Sequence, residues 1–178
     1  MIRREARLHA AVSAHPNVLT MHGAWEDAKY VYILLDYCSG GDLYDYIDEG
    51  EFRGDDERVR SVFVQIVDAV MACHERGVFH RDIKPENIMC SADGNEVYLA
   101  DFGLATDKKR SLRHGVGSAM YMSPECIGEE FEFAPYSTRT SDVWALGVIL
   151  VQLVAGRAPW KTARIEDTRF WRFLVALD

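Results

Sequence analysis

The clearest periodic pattern in the chain lies in residues 55–76, where apolar side chains recur three and four positions apart. That spacing places them on one face of a helix. The face comprises Val59, Val62, Phe63, Ile66, Val67, Val70 and Cys73. Acidic residues open the segment, where the helix dipole favours negative charge, and Gly77 follows it as a stop signal. The pattern predicts a long amphipathic helix.

Shorter patterns precede this helix. Residues 4–14 are rich in Ala, Arg and Leu and predict a helix that stops before a His-Pro pair. Residues 18–25 and 30–37 are typical of strands, and the polar residues between them predict a turn. The chain therefore begins with a helix and a hairpin, after which Asp42 opens a short helix.

After the long helix, short apolar runs at 88–90 and 97–99 flank an Asp-Gly-Asn turn signal at 93–95 and predict a second hairpin. Residues 103–139 show little periodicity and predict loop. Residues 141–155 are apolar on most sides and predict a buried helix.

Composition narrows the class of protein. The 178 residues carry 20 Lys and Arg against 28 Asp and Glu, a net charge of −8, and 48% are hydrophobic. This composition indicates a globular chain and argues against nucleic-acid or anionic-membrane binding. The apolar run 143–155 is too short to span a membrane, and the four cysteines lack metal-site spacing. We therefore expect an intracellular protein, cytoplasmic or nuclear, with reduced thiols, no nucleic-acid or membrane partner, and a monomeric state.

Four motifs carry the candidate chemistry. The run 80–87 reads His-Arg-Asp-Ile-Lys-Pro-Glu-Asn, and Asp-Phe-Gly follows at 101–103. Ser-Pro-Glu stands at 123–125 and Asp-Val-Trp-Ala-Leu-Gly at 142–147. In content, order and spacing these motifs resemble the eukaryotic protein kinases.

The residue types suit phosphoryl transfer, which depends on positioning and charge neutralisation. A carboxylate must accept or orient the proton of the attacking hydroxyl, and Asp82 fills that role. Lys84 can neutralise charge on the transferred phosphate. Asn87 and Asp101 offer the oxygen ligands that Mg²⁺ prefers. An ordinary structural role for the two aspartates is hard to reconcile with Lys84 and Asn87 beside them.

The resemblance also implies a binding site for ATP. The positions assigned to it are Glu5, Asp36, Cys38, Asp42, Glu86 and Met89. Backbone groups of Asp36 and Cys38 would bond the adenine edge, Met89 would lie under the base, and Asp42 would bind the ribose. Glu5 would pair with an ATP-positioning lysine. Two simpler interpretations stay open, a solvated helix acid for Glu5 and a plain helix N-cap for Asp42.

Two features of the resemblance select the substrate hydroxyl. Lys84, two residues after Asp82, is the pattern of the Ser/Thr kinases. Residues 117–122, just before Ser-Pro-Glu, resemble the loop that receives the substrate in that branch. Ser118 stands where the family has a threonine bonded to the catalytic aspartate and lysine. Residues 9–13 and 121–126 are most similar to fungal kinases related to a negative regulator of meiosis.

The resemblance implies an α+β, protein-kinase-like fold with an incomplete small lobe and a truncated, mainly helical large lobe. The expected division is a small-lobe remnant at 1–35, a hinge at 36–41 and the large lobe at 42–178, whose last helix lies at 167–177. The sequence contains no Gly-x-Gly-x-x-Gly motif. Two functions therefore stay open: a protein Ser/Thr kinase that uses ATP and Mg²⁺ on protein substrates, or a non-catalytic binding module derived from one.

The resemblance also raises a question of switching. Arg81 marks the kinases whose activation loop is set by a phosphate paired to that arginine. The position expected to carry the phosphate is His114, so we expect activity without such a phosphate. The alternative is that Ser111, beside three basic residues, is the regulatory site.

Overall fold

The computed structural model describes residues 2–176, with the side chain of Ile2 left aside, and shows an α+β chain. Its α-helices are α1 (Ile2–Val12), α2 (Leu43–Asp48), α3 (Asp56–Glu75), α4 (Pro124–Ile127), α5 (Thr138–Ala155) and α6 (Thr168–Val175). Its strands are β1 (Met21–Glu26), β2 (Val31–Leu35), β3 (Ile88–Cys90), β4 (Val97–Leu99), β5 (Arg110–Ser111) and β6 (Tyr136–Ser137). Short 3₁₀ helices span Pro85–Asn87 and Glu129–Phe131.

The six strands form three antiparallel pairs, β1 with β2, β3 with β4, and β5 with β6. The segment after α1 joins the first pair to the second. Leu99 donates its N–H to Asn17 O (2.8 Å), and Leu19 donates to Leu99 O (2.9 Å). These two bonds fix the α1–β1 part of the chain against the end of β4, next to the Asp-Phe-Gly motif.

Helix α3 is the centre of the larger part of the chain. Most of its predicted apolar face is buried, with Phe63 and Val67 partly buried, and α5 and β4 pack against it. An aromatic cluster joins α5 to α6: Trp160 lies 5.6 Å from Trp144 and 5.0 Å from Phe170 between ring centroids. Burial of several large aromatic rings makes this cluster a major source of packing energy between the two helices.

Two sequence-based boundaries differ from the structure. Helix α5 begins at Thr138 rather than at residue 141, because Ser137 is its N-cap and accepts the N–H of Thr140. The loop predicted at 103–139 contains β5, α4, a 3₁₀ turn and β6. The two-residue pairing of β5 with β6 joins positions far apart in sequence, which local periodicity does not register.

Within residues 2–176, no helix combines the length and the apolar character needed to cross a membrane. The four cysteines are free thiols, and three of them are buried.

Candidate active site

The side chain of Asp82 stands at the centre of a hydrogen-bond network. Its Oδ1 accepts the hydroxyl of Ser118 at 2.8 Å, and its Oδ2 lies 3.3 Å from the ammonium of Lys84. Lys84 Nζ also donates to Ser118 Oγ at 2.9 Å. Asn87 Nδ2 donates to Asp82 Oδ2 at 3.1 Å and to the Asp82 carbonyl at 2.8 Å. The structure thus brings together the three residues predicted as catalytic and one predicted metal ligand.

A buried carboxylate fixes the backbone of the loop that carries Asp82. Asp142, 1% exposed, accepts the backbone N–H groups of His80 (2.9 Å) and Arg81 (2.7 Å). The ring of His74 bonds the same carboxylate at 2.8 Å. Arg81 has φ +68°, a conformation that costs about 1–3 kcal/mol in a residue other than glycine. The bonds to Asp142 hold the chain in this turn and thereby aim Asp82.

His80 connects this loop to the Asp-Phe-Gly motif. Its Nε2 lies 2.9 Å from the Ala100 carbonyl, which requires a proton on Nε2, and its Nδ1 accepts the N–H of Asp82. The ring packs edge-on against Phe102, with centroids 4.9 Å apart. On the other side His9 stacks on Phe102 at 4.5 Å. A His–Phe–His stack therefore runs from α1 to the loop that carries Asp82.

The two predicted metal ligands lie at the ends of the paired strands β3 and β4. Ala100, next to Asp101, donates its N–H to the Asn87 carbonyl at 2.8 Å. Asn87 uses its amide nitrogen toward Asp82, and its amide oxygen is the atom suited to a metal. Asp101 has φ +57° and an exposed side chain, whose Oδ1 accepts the N–H of Gly103. One neutral and one charged oxygen donor on adjacent strand ends fit Mg²⁺.

Glu5 of α1 lies near Asp101, on the other side of Gly103. A methyl group added to Gly103 would lie 3.0 Å from Asp101 Oδ1 and 3.6 Å from Glu5 Oε2, so both carboxylates flank this glycine. Burial raises the pKa of Glu5, and the charge of Asp101 raises it further. Glu5 is therefore partly buried and lies close to Asp101.

The predicted hinge lies against β3. Cys90 donates its N–H to Gly41 O at 2.9 Å, and Asp42 forms a β-bridge with Met89, which sets the proposed ribose and adenine positions side by side. The Asp42 carboxylate accepts the N–H of Asp45, so it is the N-cap of α2. A methyl group at Gly40 would stand 2.0 Å from the Ser91 carbonyl, so this approach requires glycine.

Asp36 and Cys38, the two positions assigned to the adenine edge, differ in their hydrogen bonding and exposure. Asp36 donates its N–H to Thr20 O at 3.0 Å, which leaves its carbonyl for a ligand. Cys38 is partly exposed. Glu86 lies on the exposed side of the 3₁₀ turn Pro85–Asn87 and takes no part in the hydrogen bonds of Asp82 among the described residues.

The sequence motifs did not identify Asp142 as a site residue, because it entered there only as the first residue of a motif. A signal for it exists in the sequence. Asp142 shares the buried face of α5 with Ala145, Leu146 and Ile149, and an acid on such a face needs hydrogen-bond donors.

Comparisons with known proteins agree with this geometry. A family model described as the protein kinase domain matches residues 1–173. The chain is 44% identical to the negative regulator of sexual conjugation and meiosis of Schizosaccharomyces pombe, over 97% of this chain and 41% of that protein. It is 39% identical to the serine/threonine-protein kinase ksp1 of the same organism, over 92% of this chain and 36% of that protein. For the serine/threonine-protein kinase KSP1 of Saccharomyces cerevisiae the identity is 34%, over 95% and 16%.

The chain belongs to the protein kinase family. Within the family, its similarity to the three fungal proteins places it among the fungal Ser/Thr kinases, as predicted. The expected α+β, protein-kinase-like fold is confirmed as well. The chain spans less than half the length of these three relatives.

Proposed function

We propose that this chain carries the catalytic centre of a protein Ser/Thr kinase, which transfers the γ-phosphate of ATP to serine or threonine hydroxyls of proteins. The observation that carries the proposal is the network in which the Ser118 hydroxyl joins Asp82 to Lys84. Phosphoryl transfer needs a fixed carboxylate and a fixed cation at one point, and this network supplies both.

Each residue of the network has a distinct role in the proposed reaction. The Asp82 carboxylate accepts the hydrogen bond of the substrate hydroxyl and orients its oxygen toward the phosphate. The Lys84 ammonium, 3.3 Å from that carboxylate, stabilises negative charge on the transferred group. Ser118 holds the two opposite charges at a fixed separation. Because all three are tied together before a substrate enters, little reorganisation is needed during transfer.

Mg²⁺ would supply charge neutralisation on the ATP phosphates, held by the Asn87 amide oxygen and the Asp101 carboxylate. The segment 36–41 acts as the hinge between a small-lobe part (1–35) and a large-lobe part (42–178). The Asp36 carbonyl and Cys38 face the adenine ring of ATP, and Met89 lies beneath that ring. In this proposal Asp42 caps α2 and contacts the ribose. Glu86 borders the nucleotide from the exposed side of its turn.

The test measures transfer and nucleotide binding separately. The purified protein, γ-labelled ATP, Mg²⁺ and casein should give labelled phosphoserine and phosphothreonine. Asp82→Asn should lower the rate by about 10²–10⁴-fold and leave ATP affinity unchanged, since the carboxylate serves the hydroxyl. Asp101→Ala should weaken Mg²⁺-dependent ATP binding. The control is Asp48→Asn, the same change on the exposed side of α2.

Near-full activity of the Asp82→Asn protein would refute the catalytic assignment. Mg²⁺-dependent ATP binding without any transfer by the unaltered chain would favour the other function left open by the sequence, a non-catalytic binding module.

A further inference from the structure

The segment 108–115 leads to Ser118 and is pinned along its length to residues 134–138. Arg110 and Ser111 of β5 pair with Ser137 and Tyr136 of β6. Just before this pairing, the Thr138 hydroxyl donates to the Lys108 carbonyl at 2.7 Å. All of these hydrogen bonds join unmodified protein residues.

Tyr136 lies where this pinned segment meets the loop of Asp82. Its side chain is buried, at 3% exposure, and its hydroxyl donates to the carbonyl of Arg113 at 3.2 Å. The same hydroxyl lies beside the guanidinium of Arg81, and its ring packs against His114 with centroids 5.4 Å apart. One phenol therefore contacts the segment at two consecutive residues and the Asp82 loop at a third.

The surroundings of Arg81 explain why such a contact matters. Its guanidinium donates to the Leu104 carbonyl at 2.8 Å. Burial lowers the pKa of Arg81, and the charges of Arg113 and Arg4 act in the same direction, while the Tyr136 oxygen opposes them. The Tyr136 oxygen thus offsets part of the unfavourable effect that burial and the nearby positive charges have on the Arg81 cation.

The pinned segment leads directly to the catalytic network. Gly115 donates its N–H to the Cys126 carbonyl at 2.9 Å, and Gly117 packs against the backbone carbonyl of Arg81. Ser118, bonded to Asp82 and Lys84, follows at once. A change in the position of Arg113 would therefore displace the Ser118 hydroxyl, which lies only five residues further along the chain.

We propose that Tyr136 is a positioning residue: its hydroxyl holds Arg113 and Arg81 together and keeps the segment 108–117 over Asp82 without a phosphate on that segment. The consequence for catalysis depends on the kinase function proposed above, whereas the effect on the segment itself does not. Ser111, whose Oγ accepts the N–H of Arg113, is then part of the same turn and not a switch.

The test uses Tyr136→Phe, which removes only the hydroxyl oxygen. Trypsin can cut the segment at Lys108, Lys109, Arg110 and Arg113, all exposed at the surface. Loss of one hydrogen bond should speed this cleavage about five- to tenfold. The rate of casein phosphorylation at saturating ATP should fall by a similar factor, with the KM for ATP unchanged. The matched control is Tyr32→Phe, which removes a hydroxyl bonded to Asp27 on the distant β1–β2 hairpin and should change neither rate.

Cleavage is measured under conditions in which thermal melting shows both variants folded, so that global unfolding does not contribute. Equal cleavage of the Tyr136→Phe protein and its parent overturns the proposal, whether or not the chain transfers phosphate. Phosphatase treatment should leave the cleavage rate of the parent unchanged. Faster cleavage after that treatment would identify a phosphate on the segment as the anchor and would also overturn the proposal. Slow cleavage of the parent without phosphate transfer would count against the kinase function alone.

Discussion

Asp142 holds the backbone of Arg81 across 61 residues of sequence, through a 2.7 Å hydrogen bond from the Arg81 N–H to Asp142 Oδ1. The other oxygen accepts the N–H of His80 and the ring of His74. A carboxylate, with lone pairs on both oxygens, is suited to three donors arriving from two sides. The long helix α5 thereby sets the conformation of the loop that carries Asp82.

Asp142→Asn should destabilise the protein by about 3 kcal/mol, because the amide places N–H groups against donors and leaves buried groups unsatisfied. Urea denaturation followed by circular dichroism gives the free energy of unfolding. The control Asp48→Asn, on an exposed surface, should stay within about 0.5 kcal/mol of the parent. An Asp142→Asn protein as stable as this control would show that the three bonds contribute nothing.

Ser118 links two opposite charges, and its substitution should affect turnover more than ATP binding. Ser118→Ala should lower kcat by about 10- to 100-fold, since hydrogen bonds to charged partners are lost at Asp82 and Lys84. Ser118→Thr keeps the hydroxyl and should retain most activity. Steady-state kinetics with casein and varied ATP distinguishes the two, with similar KM for ATP expected throughout. If the threonine variant were as impaired as the alanine variant, the hydroxyl would not be the important group.

Much of the fold follows from local signals in the sequence. The hairpin of β3 and β4 begins and ends where predicted, because its turn residues and short apolar runs lie together in the chain. Helix α3 matches the predicted segment to within one residue at each end, since Asp55 is its N-cap and Gly77 lies just beyond its C-cap.

The remainder depends on contacts between distant residues. Nothing near Tyr136 in the sequence shows that it pairs with Ser111 or that its hydroxyl reaches Arg113. The partners of His9, Leu19 and Phe102, emerge only once α1 packs against the end of β4. Motif spacing located Asp82 and Lys84, whereas the residues that aim them required the tertiary structure.

Gly117 is required by a close approach to the loop of Asp82. It has φ +117°, and a methyl group there would stand 2.6 Å from the Arg81 carbonyl. Gly117→Ala should therefore destabilise the protein by at least about 1–3 kcal/mol and displace Ser118. Gly147→Ala is the matched control, because this glycine lies at an exposed position of helix α5 with open space around it, and the variant should gain about 0.5–1 kcal/mol. Urea denaturation of both should give effects of opposite sign, and a shared sign would contradict the argument.

His9 should make stability sensitive to pH. It is 2% exposed, stacks on Phe102, and its Nε2 lies 2.6 Å from the Leu19 carbonyl. Burial lowers the pKa of His9 below its ordinary value of 6.5, and this effect outweighs the opposing hydrogen bond to Leu19; the nearby His80 ring lowers it further. The unfolded chain therefore binds a proton more readily than the folded one, so the contribution of His9 to stability is full at higher pH. It is lost as the pH falls through 6.5 toward the folded-state pKa.

The measurement compares the parent with His9→Leu, which cannot take up a proton. Free energies of unfolding are measured by urea titration at pH 8.0, 6.5 and 5.5. As the pH is lowered, the free energy of unfolding should decrease more steeply for the parent than for the variant. The difference at pH 8.0 serves as the internal control, because His9 is neutral in both states there and only packing and the Leu19 hydrogen bond differ. NMR of the His9 ring in the folded protein should give a pKa below 6.5. Equal pH dependence of the two proteins, together with a ring that titrates at or above 6.5, would show that burial does not lower the pKa of His9.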